Sequence, residues 1–338
     1  MSTSIEKQIS KGIQVIAVLM MVFHHTFGFP ERYLDGISYI GLTIGSIHVE
    51  QFIGSMCKIC VSLFAFGTGY ALAHKNLTLK YIWKKICSLI AVYWFSLIIF
   101  VIAKCIDGSG YSIQEIIKNV SMYSFSINNN AWYLSFYILA LLTLFFLQKV
   151  KAKWWISLVF VFICVPANFL IQQYNITFPF SFSSYFIYIP LVLFGYYLNS
   201  PVFNKMYCFL QQGNKGLLLS SILLFVTLGL RVVTGSDVYG FRFIWVYGPI
   251  IYLSLAAIIN YLTQYELTNT VISIGGGYTT EVWLLHGLFS SPILWTQRLC
   301  FMPKVSILIF IWEVLLTVMI AQIYKSALNR YLEMKIRK

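Results

Sequence analysis

The run KGIQVIAVLMMVFHHTFGF, Lys11 to Phe29, holds nineteen residues and carries the adjacent pair His24-His25 near its end. About twenty apolar residues form a helix long enough to cross the hydrocarbon core of a bilayer. Ile16 to Phe23 is apolar without a break. Two imidazoles then follow, in a medium where polar side chains are costly and turn toward protein or a water-filled cavity. Two readings stand. The rings sit at the membrane interface, where polar tips are tolerated, or at least one imidazole is a catalytic base. No small-residue cleavage site follows the run, so it is expected to remain in the protein.

The rest of the chain repeats this pattern. Of 338 residues, 59% are hydrophobic and 10% charged, against about 25% charged in a soluble domain. The runs have helical length and lack the weak alternation of a membrane barrel. The predicted fold is therefore all-α, a polytopic transmembrane helix bundle. About ten spans are expected, at 11–29, 49–74, 80–103, 130–148, 154–171, 180–199, 214–234, 242–263, 278–297 and 304–327. They form one integral-membrane domain over 1–338, with short tails at 1–10 and 328–338. The segment 111–127 is too short and polar to span and reads as an interfacial helix. The connection 30–48, rich in Gly and Ser, is expected to fold over the mouth of the bundle.

The net charge of +13 is a topology signal. Sixteen basic residues fall on the N-terminus, the even-numbered connections and the C-terminal tail, seven on the opposite side, and Lys58 alone lies inside a span. Basic loops stay in the cytoplasm, which places both termini there, in a multi-pass protein of the plasma or inner membrane. The charge favours the anionic headgroups of the bilayer rather than nucleic acid. Seven scattered cysteines, Cys57 and Cys60 among them, read as small core thiols, and no metal is expected.

Several residues carry chemistry or packing. A mid-span lysine costs about 2.5–3.5 kcal/mol, so Lys58 needs a partner: an ion pair with Glu281 or Glu313, or a substrate. Gly67 and Gly69 permit close backbone approach, beside Tyr70. Lys84 and Lys85 are positive-inside residues or a docking point for a nucleotide diphosphate. Asn128-Asn129-Asn130 beside Trp132 and Tyr133 reads as a sugar-binding lip or as a helix cap with an aromatic belt. Glu281 and His286 stand five apart on neighbouring helix faces. If His24-His25, Lys58, Glu281 and His286 met in one cavity they would satisfy one another, whereas each alone would be costly. On these features alone, a membrane enzyme and a transporter or flippase for a lipid-linked saccharide stand level. A non-enzymatic receptor would not need the histidine pair.

Four stretches, in order, resemble the integral-membrane acyltransferase-3 family, in the branch that O-acetylates bacterial surface polysaccharides. They are Lys11-Gly12-Ile13 through Phe23-His24-His25 to Glu31-Arg32, Lys58-Ile59-Cys60-Val61 through Gly67-Thr68-Gly69-Tyr70, Ala131-Trp132-Tyr133-Leu134-Ser135-Phe136-Tyr137, and Glu281-Val282-Trp283-Leu284-Leu285-His286. The resemblance implies transfer of an acetyl group from cytoplasmic acetyl-CoA, a co-substrate, to a hydroxyl of a lipid-linked or exported glycan. It implies a first-span histidine, His25 or else His24, as base or acyl carrier. Arg32, Lys58, Tyr70, Asn130, Trp132, Tyr133, Glu281 and His286 would line the acceptor side, and Lys11, Lys84 and Lys85 the acyl-CoA side. The family commonly carries an arginine eleven residues before its histidine. Here Gln14 stands at that distance from His25, and Lys11 is the nearest cation, about 21 Å along a helix. The sequence leaves the oligomeric state open, a homo-oligomer included.

Overall fold

A computed structural model describes residues 2–73, 75–174, 176, 178–197, 208–210, 213–234 and 244–336. Lys205, Arg242, Arg337 and Lys338, counted in the charge balance above, lie outside the described residues. The described chain is helical apart from one small hairpin. In order, the helices are α1 (Ser2–Phe27), α2 (Val49–Cys57), α3 (Cys60–Ala73), α4 (Leu79–Ile106), α5 (Ile113–Val120), α6 (Trp132–Lys149), α7 (Trp155–Gln173), α8 (Ser183–Tyr197), α9 (Gly213–Val233), α10 (Ile244–Leu262), α11 (Glu266–Gly275), α12 (Thr279–Leu285), α13 (Gly287–Ser290), α14 (Leu294–Cys300) and α15 (Ser306–Ile336). Strands β1 (Thr43–Ile44) and β2 (Ile47–His48) pair antiparallel between α1 and α2.

Among the described residues, seven helical stretches are long and apolar enough to cross a membrane, which establishes a polytopic helical bundle. They are Lys7–Phe27, Val49–Ala73, Leu79–Ile106, Asn129–Lys149, Gly213–Val233, Ile244–Leu262 and Ser306–Asn329. Three expected spans are not among the seven: the fifth falls on α7, which carries Pro166 inside it and a shorter apolar stretch, Leu158–Ile171. The described part of the sixth, α8, has 15 residues, about 22 Å of helix against a core of about 30 Å. The ninth is not one span: it breaks into α12, α13 and α14. Pro292 has no N–H to continue the helix, and Ser291 before it turns to extended backbone, φ −78°, ψ 158°. The second span is interrupted where Lys58 stands, between α2 and α3. The segment after α4 does form the short amphipathic α5, capped by the Ser112 hydroxyl, which accepts from the Glu115 N–H.

The chain divides into two compact units, each drawn from three separate stretches. The first takes Met1–Met20, Ser55–Ile86 and Trp132–Gly277. Its tightest crossing is α3 on α8. A methyl added at Gly69 would lie 1.8 Å from the Val192 carbonyl oxygen, and one at Gly195 would lie 2.1 Å from that of Phe66. Only glycine permits this approach, the close contact by which membrane helices gain packing without a hydrophobic driving force. The second unit takes Met21–Gly54, Cys87–Ala131 and Tyr278–Lys338. Here the last turn of α1 packs on α15, with Phe23 edge-on to Phe310 at 5.3 Å.

Gly195→Val should force α3 and α8 apart at a cost of about 1–3 kcal/mol. Thermal unfolding of the purified protein, followed in mild detergent, should show a clearly lower Tm, while Gly229→Val, which meets open space, should not.

Candidate active site

The end of α1 is locked in place before any chemistry is possible. Gly28 N–H closes the last turn on the His24 carbonyl at 2.8 Å. The His24 ring, buried, gives its Nδ1 proton to the Gly54 carbonyl at 2.7 Å. That carbonyl is within reach because Gly28 and Gly54 both lack side chains: a methyl on Gly54 would lie 3.1 Å from Gly28 N. A second layer lies beside it. Thr26 Oγ1 donates to the Val22 carbonyl at 2.7 Å and also contacts the carboxylate of buried Glu313 on α15. Cys300 Sγ lies 3.6 Å from the same carboxylate oxygen, and the Tyr33 hydroxyl donates to the Thr26 carbonyl at 2.5 Å. Burial, with Tyr39 and Glu313 adding to it, raises the Tyr33 phenol above its ordinary range, so it remains a donor.

His25 then points to the broken ninth segment. Its Nδ1 lies 2.8 Å from Nε2 of His286, and the two rings stack at 5.0 Å and 12°. His286 Nδ1 lies 3.0 Å from the Val282 carbonyl. A carbonyl only accepts, so the proton of His286 sits on Nδ1 and its Nε2 offers a lone pair. His25 must therefore donate from Nδ1. Its own Nε2 is left with a lone pair, and the half-buried ring carries it. The Asn130 amide, 3.4 Å from His286 Nε2, adds a second donor to the same lone pair.

Short stitches hold this geometry. Trp283 Nε1 donates to the Asn130 carbonyl at 3.0 Å, and buried Asn128 donates to the Leu284 carbonyl at 2.8 Å and to Ser96 on α4 at 3.3 Å. The Leu284 carbonyl stands in the last turn of α12, where carbonyls lack intrahelical partners and need such donors. Gly287 follows His286, and a methyl there would come within 2.3 Å of the Asn130 amide nitrogen. Gln297 clamps the loop after α1, accepting from Leu34 N–H and donating to the Arg32 carbonyl, both at 3.0 Å. The Arg32 guanidinium lies 3.7 Å above the Phe29 ring, which packs 4.8 Å from His24 and 6.2 Å from His25. A positive charge thus stands one ring away from the imidazoles.

The structure brings His25, Asn130 and His286 together, with His24 and Arg32 beside them. Glu281 pairs with Lys325 at 3.4 Å. Glu313 takes Thr26 and Cys300. The other expected site residues belong to the first unit. Lys58 stands at the α2–α3 interruption, Tyr70 lies 6.2 Å from Tyr252, and Trp132 stacks on Tyr188 at 5.7 Å and edges onto Tyr133. Lys84 and Lys85 are exposed on the second turn of α4. Lys11 lines a cavity of about 280 Å³ with Lys7, Gln8, Ile272 and Ser273. The Val282 carbonyl and Phe29 were missed: neither has a side-chain signature for this role.

A family profile described as an acyltransferase domain matches residues 10–327. The chain belongs to the acyltransferase-3 family. No curated protein and no solved structure matches it. Family membership makes this protein a membrane acyltransferase and answers the transporter reading.

Nitrogen-15 NMR of labelled histidine should report His25 protonated at Nδ1 and bare at Nε2. His286→Ala should turn that resonance into a tautomer mixture without unfolding the protein.

Proposed function

We propose that this acyltransferase moves an acetyl group from cytoplasmic acetyl-CoA to a hydroxyl of a lipid-linked or exported surface glycan at the plasma membrane, with His25 as general base. The lone pair left on His25 Nε2 by the His286–Val282 chain carries this reading. A glycan hydroxyl with its proton toward that nitrogen loses it as the oxygen attacks the thioester carbonyl. The imidazolium so formed holds its Nδ1 proton against His286 Nε2, in a bond strengthened by the new charge. Collapse of the tetrahedral intermediate breaks the carbon–sulfur bond, and His25 returns the proton to the thiolate. No net proton is consumed. A positioned base of this kind contributes about 10²–10⁴-fold.

His24 fits a positioning role, since its Nδ1 bonds the Gly54 carbonyl and its ring is buried. For the donor, the Lys7–Lys11 cavity is the best-supported docking point. The two lysines stand one turn apart on the same helix face, and Gln8, Ile272 and Ser273 complete the lining. Ammonium groups bind phosphates as point charges. Lys84 and Lys85 are not among the residues of that cavity.

Two measurements test the proposal. With protein in nanodiscs and radiolabelled acetyl-CoA, His25→Ala should lower glycan acetylation by about 10²-fold or more, while His24→Ala should keep most turnover but lose thermal stability. The reverse pattern would overturn the assignment. Lys7→Gln with Lys11→Gln should raise the KM for acetyl-CoA by about tenfold with kcat nearly unchanged, the size expected from two exposed charge pairs.

A further inference from the structure

The hairpin between α1 and α2 has one face that water does not suit. Ile40, Leu42, Ile44 and Ile47 are 69%, 68%, 71% and 52% exposed. Side chains alternate along extended backbone, so positions 40, 42 and 44 share a face. Ile44 pairs directly with Ile47 across the ladder, which puts the fourth apolar side chain on that same face. The other face carries the pair Thr43 and His48. This is an amphipathic ribbon with its apolar side turned outward.

Its position is fixed. Ile40 N–H donates to the Lys304 carbonyl at 2.7 Å and the Ile40 carbonyl accepts from Ser306 N–H at 3.1 Å, a parallel bridge to Val305. Leu42 accepts from Val49 N–H at 3.0 Å. The carboxylate of buried Glu50 accepts from Leu42 N–H and from the Ser306 hydroxyl, both at 2.8 Å. The ribbon is therefore bonded to the first residues of two membrane-spanning stretches, those beginning at Val49 and at Ser306. From Ser306 onward, Ile307, Leu308, Ile311 and Leu315 are exposed apolar residues of α15, the surface a spanning helix gives to lipid. Lys304, whose carbonyl accepts from Ile40, is exposed at that boundary. Exposed apolar side chains next to a lysine are the pattern of a segment seated among headgroups.

We infer that the ribbon Ile40–His48 is a membrane-seated platform. Its apolar face lies in the interfacial zone of the leaflet that α2 and α15 enter, with phospholipid as its partner. It continues the lipid-facing surface of α15 and is independent of the transfer reaction proposed above.

Site-directed spin labelling of the full chain in phospholipid nanodiscs tests this. A single label is placed at Ile44→Cys, Thr43→Cys or Ile311→Cys, each in a background where exposed Cys87, Cys105 and Cys208 are serine. Each variant is first checked for unchanged Tm and a single elution peak. Power saturation with oxygen and with a water-soluble nickel chelate then reads depth. Position 44 should match position 311, open to oxygen and several-fold less open to nickel than position 43. Nickel access at 44 equal to that at 43 would overturn the inference in favour of a solvated ribbon. Dipolar broadening at 44 in discs holding two copies would overturn it in favour of a self-contact.

Discussion

The hydrogen bond from His286 Nδ1 to the Val282 carbonyl determines the state of every atom beyond it. A neutral imidazole has one donor and one acceptor nitrogen, and which is which depends on what the ring meets. The carbonyl removes that choice for His286 at 3.0 Å, and His286 removes it for His25 at 2.8 Å. The order of protons is written by backbone geometry rather than by a charged residue. A base that needs no tautomer shift before it acts is preorganised for proton transfer.

That carbonyl is positioned by an interrupted helix. A continuous span would carry the chain straight through residues 286–293. The Ser291-Pro292 stop ends it, the Leu284 carbonyl before the break is met by Asn128, and the Trp283 indole ties the same segment to the Asn130 carbonyl. Backbone that is not helical survives at membrane depth only when protein satisfies it. The polar stitches that make the break tolerable are thus the same groups that hold His286 and Asn130 in reach of His25.

Much of the class was legible in the sequence, because long apolar runs and sparse charge leave few alternatives to a helical bundle. The close approach at Gly69 and the short amphipathic α5 were legible for similar reasons, being local patterns. The breaks were not. Hydropathy sums over a window and is blind to one missing N–H, although Pro292 stood in plain view as a stop signal. Within the site, His25, Asn130 and His286 could each be named as polar residues in greasy surroundings. Their mutual bonding could not, since it joins positions 261 and 156 residues apart. Glu281 pairs with Lys325, a contact between α12 and α15 that a one-dimensional reading has no means of ranking.

The pairing of two imidazoles has an electrical consequence. In the more familiar arrangement a carboxylate orients the histidine, and the centre carries a standing negative charge. Here the orienting group is itself neutral, and the Arg32 cation lies over the Phe29 ring that packs on the imidazoles. An acceptor bearing phosphate or a sugar acid would meet no carboxylate in the bond between the two rings.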